Sequence, residues 1–493
     1  MKNKLLIVGG GIAGMTAGIY ALKNGFDVTI LEQNTVCGGA STSWRRKGYL
    51  FEGGMHWLTG SLQGTSMNQM WQELGAINNE TIIYNRDPFI SFEMDGNSVN
   101  LYRNLEQLKT HLVEQSPADE KEILRMCKDI DHFKKIQMEL TDLKGIKLNR
   151  KAVKESSTIL RAIPLLPKML HYGRYQVKEY CKRFKSPLIR GLLENLVGEE
   201  INTIAMMFTL ATITSGDGGY PGGGSSDMAQ RISEKFISLG GKILYRMAVD
   251  EILTKEQKVV GVKTKENEIY ADTVILASDP LTSVDHLFDS PLTDSWITNL
   301  REQSEPLLCT FISVGVEVNL AYLPHNNYFL LDQPLRIGEQ KFSTIGLNNY
   351  ATYQGYAPEE CTALTAILAG DSYAFWKKAK DNGNYKKEKK KLAESFIQML
   401  EQKYPQISGK IAVVDVATPL TYERYLSSYK GSWMTQMTKA SMGVYPAKSQ
   451  HFQNLYFASH RLMPPGGVPG AALMGRRAIQ QLCKDNNIVF RGV

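Results

Sequence analysis

Short apolar runs alternate along the chain with longer stretches whose apolar positions recur at helical spacing, a pattern of mixed strands and helices. Lys4 to Val8 predicts a strand, Ile12 to Asn24 a helix and Asp27 to Leu31 a second strand. Tyr49 to Glu52, Ile82 to Tyr84, Phe89 to Met94 and Ser98 to Leu101 read as strands, followed by charged helices through Leu143. Ser226 to Leu239 carries helical spacing, ended by Gly240 and Gly241. Strands are then predicted over Lys242 to Val249, Val259 to Thr264, Glu268 to Tyr270 and Thr273 to Ala277, with Lys255 to Lys258 as a hairpin turn. Leu307 to Val316 predicts an apolar strand of a sheet flooring a cavity. Asn454 to Ser459 reads as a strand, Arg461 to Pro469 as a Pro- and Gly-rich loop, and Gly470 to Leu482 as a helix.

Gly9, Gly11 and Gly14 close the first strand and open the first helix, and Glu32 ends the second strand, 23 residues after Gly9. In such a β-α-β unit the first glycine permits a tight turn, the second lets backbone approach a pyrophosphate, and the third lets helix and strand pack closely. The helix amino terminus faces the phosphates, and a carboxylate at roughly this offset accepts hydrogen bonds from an unphosphorylated ribose. FAD and NAD both satisfy this unit. Lys2, Lys4 and the apolar residues after them also resemble the start of a secretory signal, but such a segment has no use for glycines at this spacing and no small-residue cleavage site follows.

At 493 residues the chain exceeds the size at which one core keeps growing, so at least two domains are expected. The fold class is α/β. A Rossmann-type nucleotide domain is drawn from residues 1–81, 216–284 and 411–493, and a discontinuous α+β substrate domain from 82–215 and 285–410. Six cysteines form no C-x-x-C pair, which fits a reducing cytoplasm and no disulfide framework. Eight histidines without H-E-x-x-H spacing argue against a bound metal, and neither G-x-S-x-G nor a Walker A sequence occurs. The 16 uncharged residues Ile201 to Gly216 fall short of the roughly 20 needed to span a bilayer and read as buried.

The net charge of +7 is uneven: Lys144 to Asn195 holds 13 Lys and Arg against Glu155, Glu179 and Glu194, a local +10 that leaves −3 elsewhere. Ile159 to Leu160, Ile163 to Leu166, Met169 to Leu170, Tyr172, Tyr175 and Tyr180 lie among these charges. Such a mixture suits peripheral contact with an anionic membrane. A nucleic-acid partner is not expected, since no recognition fold accompanies the charge; a plain solvated face is the alternative.

Four stretches, spread over the whole chain, carry a family resemblance: residues 5–33, 38–60, 220–252 and 454–479. Together they resemble the FAD-dependent phytoene desaturase, carotenoid isomerase and retinol saturase group, within the glutathione-reductase-like flavoproteins. The resemblance implies FAD, held by Gly9, Gly11, Ile12, Ala13, Gly14, Glu32 and Gln33 in the first stretch and by Gly38, Gly39, Ala40, Ser41, Gly54, Met55 and His56 in the second. Ala40 and Ser41 stand where much of the family has an Arg, which resembles the isomerase and saturase branch. His56 is implied at the isoalloxazine edge beside Gly53 and Gly54, either as a catalytic proton donor to a carbon being reduced or as a packed structural histidine. Val249 resembles the residue that holds adenine through its backbone, with Ala277 and Ser278 closing that pocket. Ser459, Gly467 and Val468 are implied near the flavin pyrimidine edge, before a helix whose amino terminus favours negative charge. Pro465, Gly466 and Gly467 replace three consecutive glycines there, and Arg476 and Arg477 are expected to face solvent or an acidic neighbour.

The implied activity is saturation or desaturation of a carbon-carbon double bond in a lipophilic polyene. The alternatives are a reduced-FAD-dependent cis-trans isomerase, a flavin amine oxidase and a non-catalytic flavin-binding protein. One dinucleotide unit leaves the electron donor or acceptor as a diffusible nicotinamide, quinone or dioxygen.

Overall fold

The computed structural model describes residues 3–135, 140–148, 165–436 and 443–493. Five parallel strands form one sheet, in the order Leu455–Phe457, Thr273–Leu276, Lys4–Val8, Asp27–Glu32 and Lys242–Tyr245. Both faces of its central strands are covered, so these segments are buried nearly throughout and read as continuous apolar runs. Helix Ile12–Lys23 packs between Gly224–Ser238 and Gly467–Asp485. The approach is close: a Cβ on Gly18 would stand 2.6 Å from the Phe236 ring, and one on Gly475 would stand 2.3 Å from the Ala13 carbonyl oxygen. A three-stranded antiparallel sheet, Val249–Lys255, Lys258–Thr264 and Glu268–Tyr270, sits beside this layer.

The second large sheet has seven strands, ordered Ile411–Ala417, Cys309–Val316, Thr362–Ala369, Gln340–Asn349, Asn326–Ile337, Ile90–Met94 and Asn97–Leu101. Only the pairing of Asn326–Ile337 with Ile90–Met94 is parallel. Helix Tyr385–Lys403 buries Leu392, Phe396 and Leu400 against this sheet. A helical layer, including Leu105–Gln115, Glu120–Phe133, Pro187–Val197 and Thr203–Thr214, shares a separate apolar core with Ile90 and Phe92. The architecture is thus the expected Rossmann-type α/β unit joined to α+β segments.

Several boundaries differ from the sequence reading. The run from Lys242 to Val249 is two strands: the chain turns at Arg246, whose φ of 56° is left-handed, and Val249 begins the antiparallel sheet. Ile411–Ala417 pairs with Cys309–Val316, so the change of unit placed at 411 falls after this strand; a valine-rich segment gives no sign of which sheet it joins. The last helix starts at Gly467, not Gly470. Pro469 lies in its first turn, where a missing N–H costs no intrahelical bond, and proline and glycine there disguise a helix as a loop. Tyr172 and Tyr180 are core residues rather than surface rings. Ile159, Leu160, Ile163 and Pro164 lie outside the described residues.

Candidate functional site

The turn after the first strand is built on backbone contacts that exclude side chains. Gly9 has φ of 107°, its amide donates to Leu31 O at 2.9 Å, and a Cβ on it would meet Ala277 at 3.2 Å. A Cβ on Gly14 would lie 2.0 Å from the Gly9 carbonyl oxygen, so this glycine locks helix to strand and takes no part in the cavity wall. Gly11 differs: the nearest protein atom to its added Cβ would be 3.8 Å away, and the residue faces open space. Helix Ile12–Lys23 has Gly11 as N-cap and no side-chain cap. Its first amides are left for an anion. The Gly38 amide closes the loop onto Gly10 O at 2.9 Å.

That space is part of one cavity of about 1070 Å³, at the upper end of ordinary small-molecule sites, which run to roughly 1,000 Å³. Apart from Gly14, every residue that the resemblance assigned to the cofactor lies on its wall, from Gly9, Glu32 and Gln33 through Ser41, His56 and Val249 to Ser278, Ser459 and Val468. Gly53 stays behind the wall, where its added Cβ would strike Trp44 at 2.4 Å. Among the described residues, Glu32 and Asp279 supply the only charged side chains besides histidines, and no Lys or Arg lines the space. Several wall atoms are buried with no hydrogen-bond partner among the described residues: Ser41 Oγ, Ser428 Oγ, His460 Nδ1 and both ring nitrogens of His56. Orphaned polar atoms are costly in a finished protein. An uncapped helix terminus, a glycine whose side-chain space is open, a carboxylate 22 residues from Gly10 and this ring of unpaired polar atoms fit FAD.

Sequence reasoning missed part of the wall. Tyr425 to Ser428, Ser432, Trp433 and Met434 come from the segment after the seven-stranded sheet. Gln33 Nε2 and Asn34 Nδ2 each donate to Tyr425 O at 2.8 Å, drawing that segment over the Glu32 end of the cavity. No short motif marks it, although the left-handed φ of 51° at Ser427 marks a sharp turn. Met247, Thr282, His286 and Asn34 were also missed; Asn34 and Met247 lie within two residues of Gln33 and Val249, while Thr282 and His286 come from the short helix Pro280–His286 after Ser278.

The far half of the cavity is apolar. Helix Thr203–Thr214 turns Met206, Met207, Leu210 and Ile213 into the core, and Ile204, Ala205, Phe208, Thr209 and Thr212 toward the space. Ile204 and Thr212 are eight residue steps apart, about 12 Å along a helix axis. The sheet strand Cys309–Val316 does not floor this cavity as expected. It stands one layer back, where Phe311 supports Trp433 edge-on at 5.7 Å.

His56 sits where these halves meet, edge-on to Trp433 at 5.7 Å. Burial first, then the Arg86 guanidinium, pulls its pKa down to about 4. Its ring is therefore neutral near pH 7 and carries no imidazolium proton to give. Arg86 donates to the His56 carbonyl at 3.2 Å and lies over the rings of Tyr220 and Tyr353. Glu52 holds the same loop: it accepts from the Gly54 amide at 2.8 Å, the Ser225 amide at 3.0 Å and Tyr220 Oη at 2.6 Å. Burial raises the Glu52 pKa, while these donors oppose the rise. Arg476 is buried against Asp142 at 2.5 Å, away from the cavity.

Comparison with known proteins agrees with this geometry. Residues 12–483 match the model of the flavin containing amine oxidoreductase family, and the chain belongs to that family. It is an FAD-dependent oxidoreductase. Among curated proteins, prolycopene isomerase of Daucus carota is 22% identical over 97% of this chain and 80% of its own length. The 4,4'-diaponeurosporene oxygenase of Staphylococcus aureus (strain MW2) is 23% identical over 98% of both chains. Among solved structures, an oxidoreductase from Methanosarcina mazei superposes with a TM-score of 0.61 at 17% identity, covering 97% of this chain and all of the other. Cyclohexylamine oxidase from Brevibacterium oxydans IH-35A gives 0.61 at 14%, over 99% and 100%. At these identities the structures speak for the fold.

Proposed function

We propose that the protein acts on a carbon-carbon double bond of a lipophilic polyene such as a carotenoid, saturating or desaturating it. The observation that carries this reading is the wall made by Met55, Trp57, Ile204, Ala205, Phe208 and Thr212, which has no carboxylate, lysine or arginine. An elongated apolar chain fits such a wall. An alkylammonium would enter it without a counter-charge, at a desolvation cost of several kcal/mol. The relatives named for prolycopene and diaponeurosporene support the same choice.

When bound, FAD supplies hydride exchange with a substrate carbon. Gly9, Gly11 and the uncapped amides after Gly11 would hold its phosphates, Glu32 its ribose, Val249, Ala277 and Ser278 its adenine. The terminus of helix Gly467–Asp485, capped by no side chain, would favour negative charge at the flavin pyrimidine edge. Phe208, Trp433 and Met434 exclude water and align the chain. His56 contributes a neutral ring beside the reacting bond, and the proton that accompanies hydride transfer comes from another source.

A second reading, reduced-FAD-dependent cis-trans isomerisation, is favoured by the prolycopene isomerase relatives and needs the same cavity. Likeness to the retinol saturase branch would shift the substrate toward a shorter isoprenoid. The electron partner is proposed as a diffusible nicotinamide, quinone or dioxygen. Among the described residues no helix is long and apolar enough to cross a membrane; the proposed attachment is peripheral. The test is incubation of the FAD-loaded protein with carotenoids, retinoids and primary amines under anaerobic conditions. A polyene altered in mass or geometry supports the reading, and turnover of amines alone removes it.

A further inference from the structure

Helix Leu166–Tyr172 joins the cavity to the surface. Met169 lines the cavity, while Leu166 and Leu170, on the same short helix, are 51% and 66% exposed. Leu124, on helix Glu120–Phe133, is 44% exposed. Between the two helices lies a second hollow of about 310 Å³, lined by Arg125, Lys128, Asp129, Pro167, Lys168 and His171. Its one carboxylate is already engaged, since Asp129 pairs with Lys168 and accepts from Tyr172 Oη at 2.7 Å. Arg125 meets the His171 ring at 3.2 Å and its charge also acts on Asp129, but among the described residues neither Arg125 nor Lys128 has an acidic partner within ion-pair distance. Burial first, then the nearby Arg125 and Arg183, hold the His171 pKa below its ordinary value, with Asp129 opposing the shift.

Exposed leucines are of no use to a free anion in water, and a cationic hollow is of no use to a purely apolar partner. An anionic phospholipid layer satisfies both, with acyl chains against the leucines and a headgroup phosphate among the cations. We propose that this face seats the protein on an anionic bilayer, with a lipid phosphate held by Arg125, Lys128 and His171 and the Met169 end of the cavity opening onto the acyl layer. The delivery of substrate by this route rests on the polyene reading; the docking itself does not.

The test is co-sedimentation of the FAD-loaded full chain with phosphatidylcholine vesicles, with and without about 30 mol% phosphatidylglycerol. The wild type pellets with the anionic vesicles and is released from them by high salt. Reversing both free cations, Arg125→Glu with Lys128→Glu, weakens partitioning at least about tenfold, at roughly 1 kcal/mol per charge near the surface. Leu166→Ser with Leu170→Ser weakens it as well. Lys386→Glu with Lys387→Glu, on the distant helix Tyr385–Lys403, leaves it unchanged, and flavin absorbance per chain reports that each variant is folded. Wild type that stays in the supernatant, or an Arg125/Lys128 double variant that pellets as well as wild type, overturns the proposal. Docking without polyene turnover would sink the substrate reading alone, and turnover from detergent micelles without docking would sink only this one.

Discussion

The Gly10 amide donates a 2.8 Å hydrogen bond to Glu32 Oε2, so the carboxylate that ends the second strand is tied into the glycine turn that ends the first. Its other oxygen accepts from the Asn34 amide at 2.8 Å and from Asn34 Nδ2 at 2.9 Å. A carboxylate offers about four acceptor positions; three are filled, which leaves one for a ribose hydroxyl. Glu32→Ala removes both the ligand contact and the brace of the turn. Hydrogen bonds to charged groups contribute about 1.5–3 kcal/mol, so FAD affinity is expected to fall roughly 10- to 150-fold in a fluorescence titration.

Gly11 and Gly14 make opposite predictions. Gly11→Ala meets no protein atom within 3.8 Å, so the chain folds with near-normal melting temperature but binds FAD weakly, because the methyl projects into the cradle. Gly14→Ala forces Cβ to 2.0 Å from Gly9 O. Such overpacking costs at least about 1–3 kcal/mol, and the variant should lose both stability and flavin. Thermal melts of apo and FAD-loaded protein separate the two.

The nucleotide half of the site was legible because its contacts are local. Gly9, Gly11, Gly14 and Glu32 lie within one β-α-β unit, where turn, helix terminus and strand end are each forced by residue type. The segment Tyr425 to Met434 was not legible, because what brings it to the wall is a pair of side-chain bonds from Gln33 and Asn34 across nearly 400 residues. The alternating pattern from Lys242 to Val249 hid a turn at Arg246, since left-handed backbone at a non-glycine leaves no sequence mark. Helix Thr203–Thr214 reads as buried because its stretch is uncharged and too short to span a bilayer; one of its faces lines the cavity. Nor does any periodicity disclose that His56 is neutral, which depends first on its burial and then on Arg86, 30 residues away.

His56 and His460 both titrate near 4 in the folded protein against 6.5 ordinarily. Between those values the unfolded chain binds protons that the folded chain does not, so stability is full above pH 6.5 and declines as pH falls toward 4. The upper bound is on the order of 3 kcal/mol for each ring. Urea midpoints should drop between about pH 7.5 and pH 5, and less steeply in His56→Phe. A general acid contributes about 10²–10⁴ in rate, whereas His56→Asn is expected to lower kcat by less than about tenfold.

Thr212 lies on the cavity face of its helix near Trp57, both close to the Gly218 backbone. Thr212→Phe fills the space beside Trp57, away from the Gly9–Gly14 turn. The expected result is unchanged flavin content and a KM for polyene raised at least about tenfold, since overpacking a well-formed site costs roughly 1–3 kcal/mol. Steady-state kinetics with the flavin content measured on the same sample checks it.

The central claim is that this FAD site serves an apolar polyene rather than an amine. Its most direct test is anaerobic incubation of oxidised and of dithionite-reduced holoprotein with a carotenoid and, separately, a primary amine, followed by product mass and double-bond geometry. The expected result is a polyene changed by two hydrogens, or changed in geometry at constant mass when the flavin is reduced, with the amine untouched. An unaltered polyene alongside an amine that bleaches the flavin would contradict it.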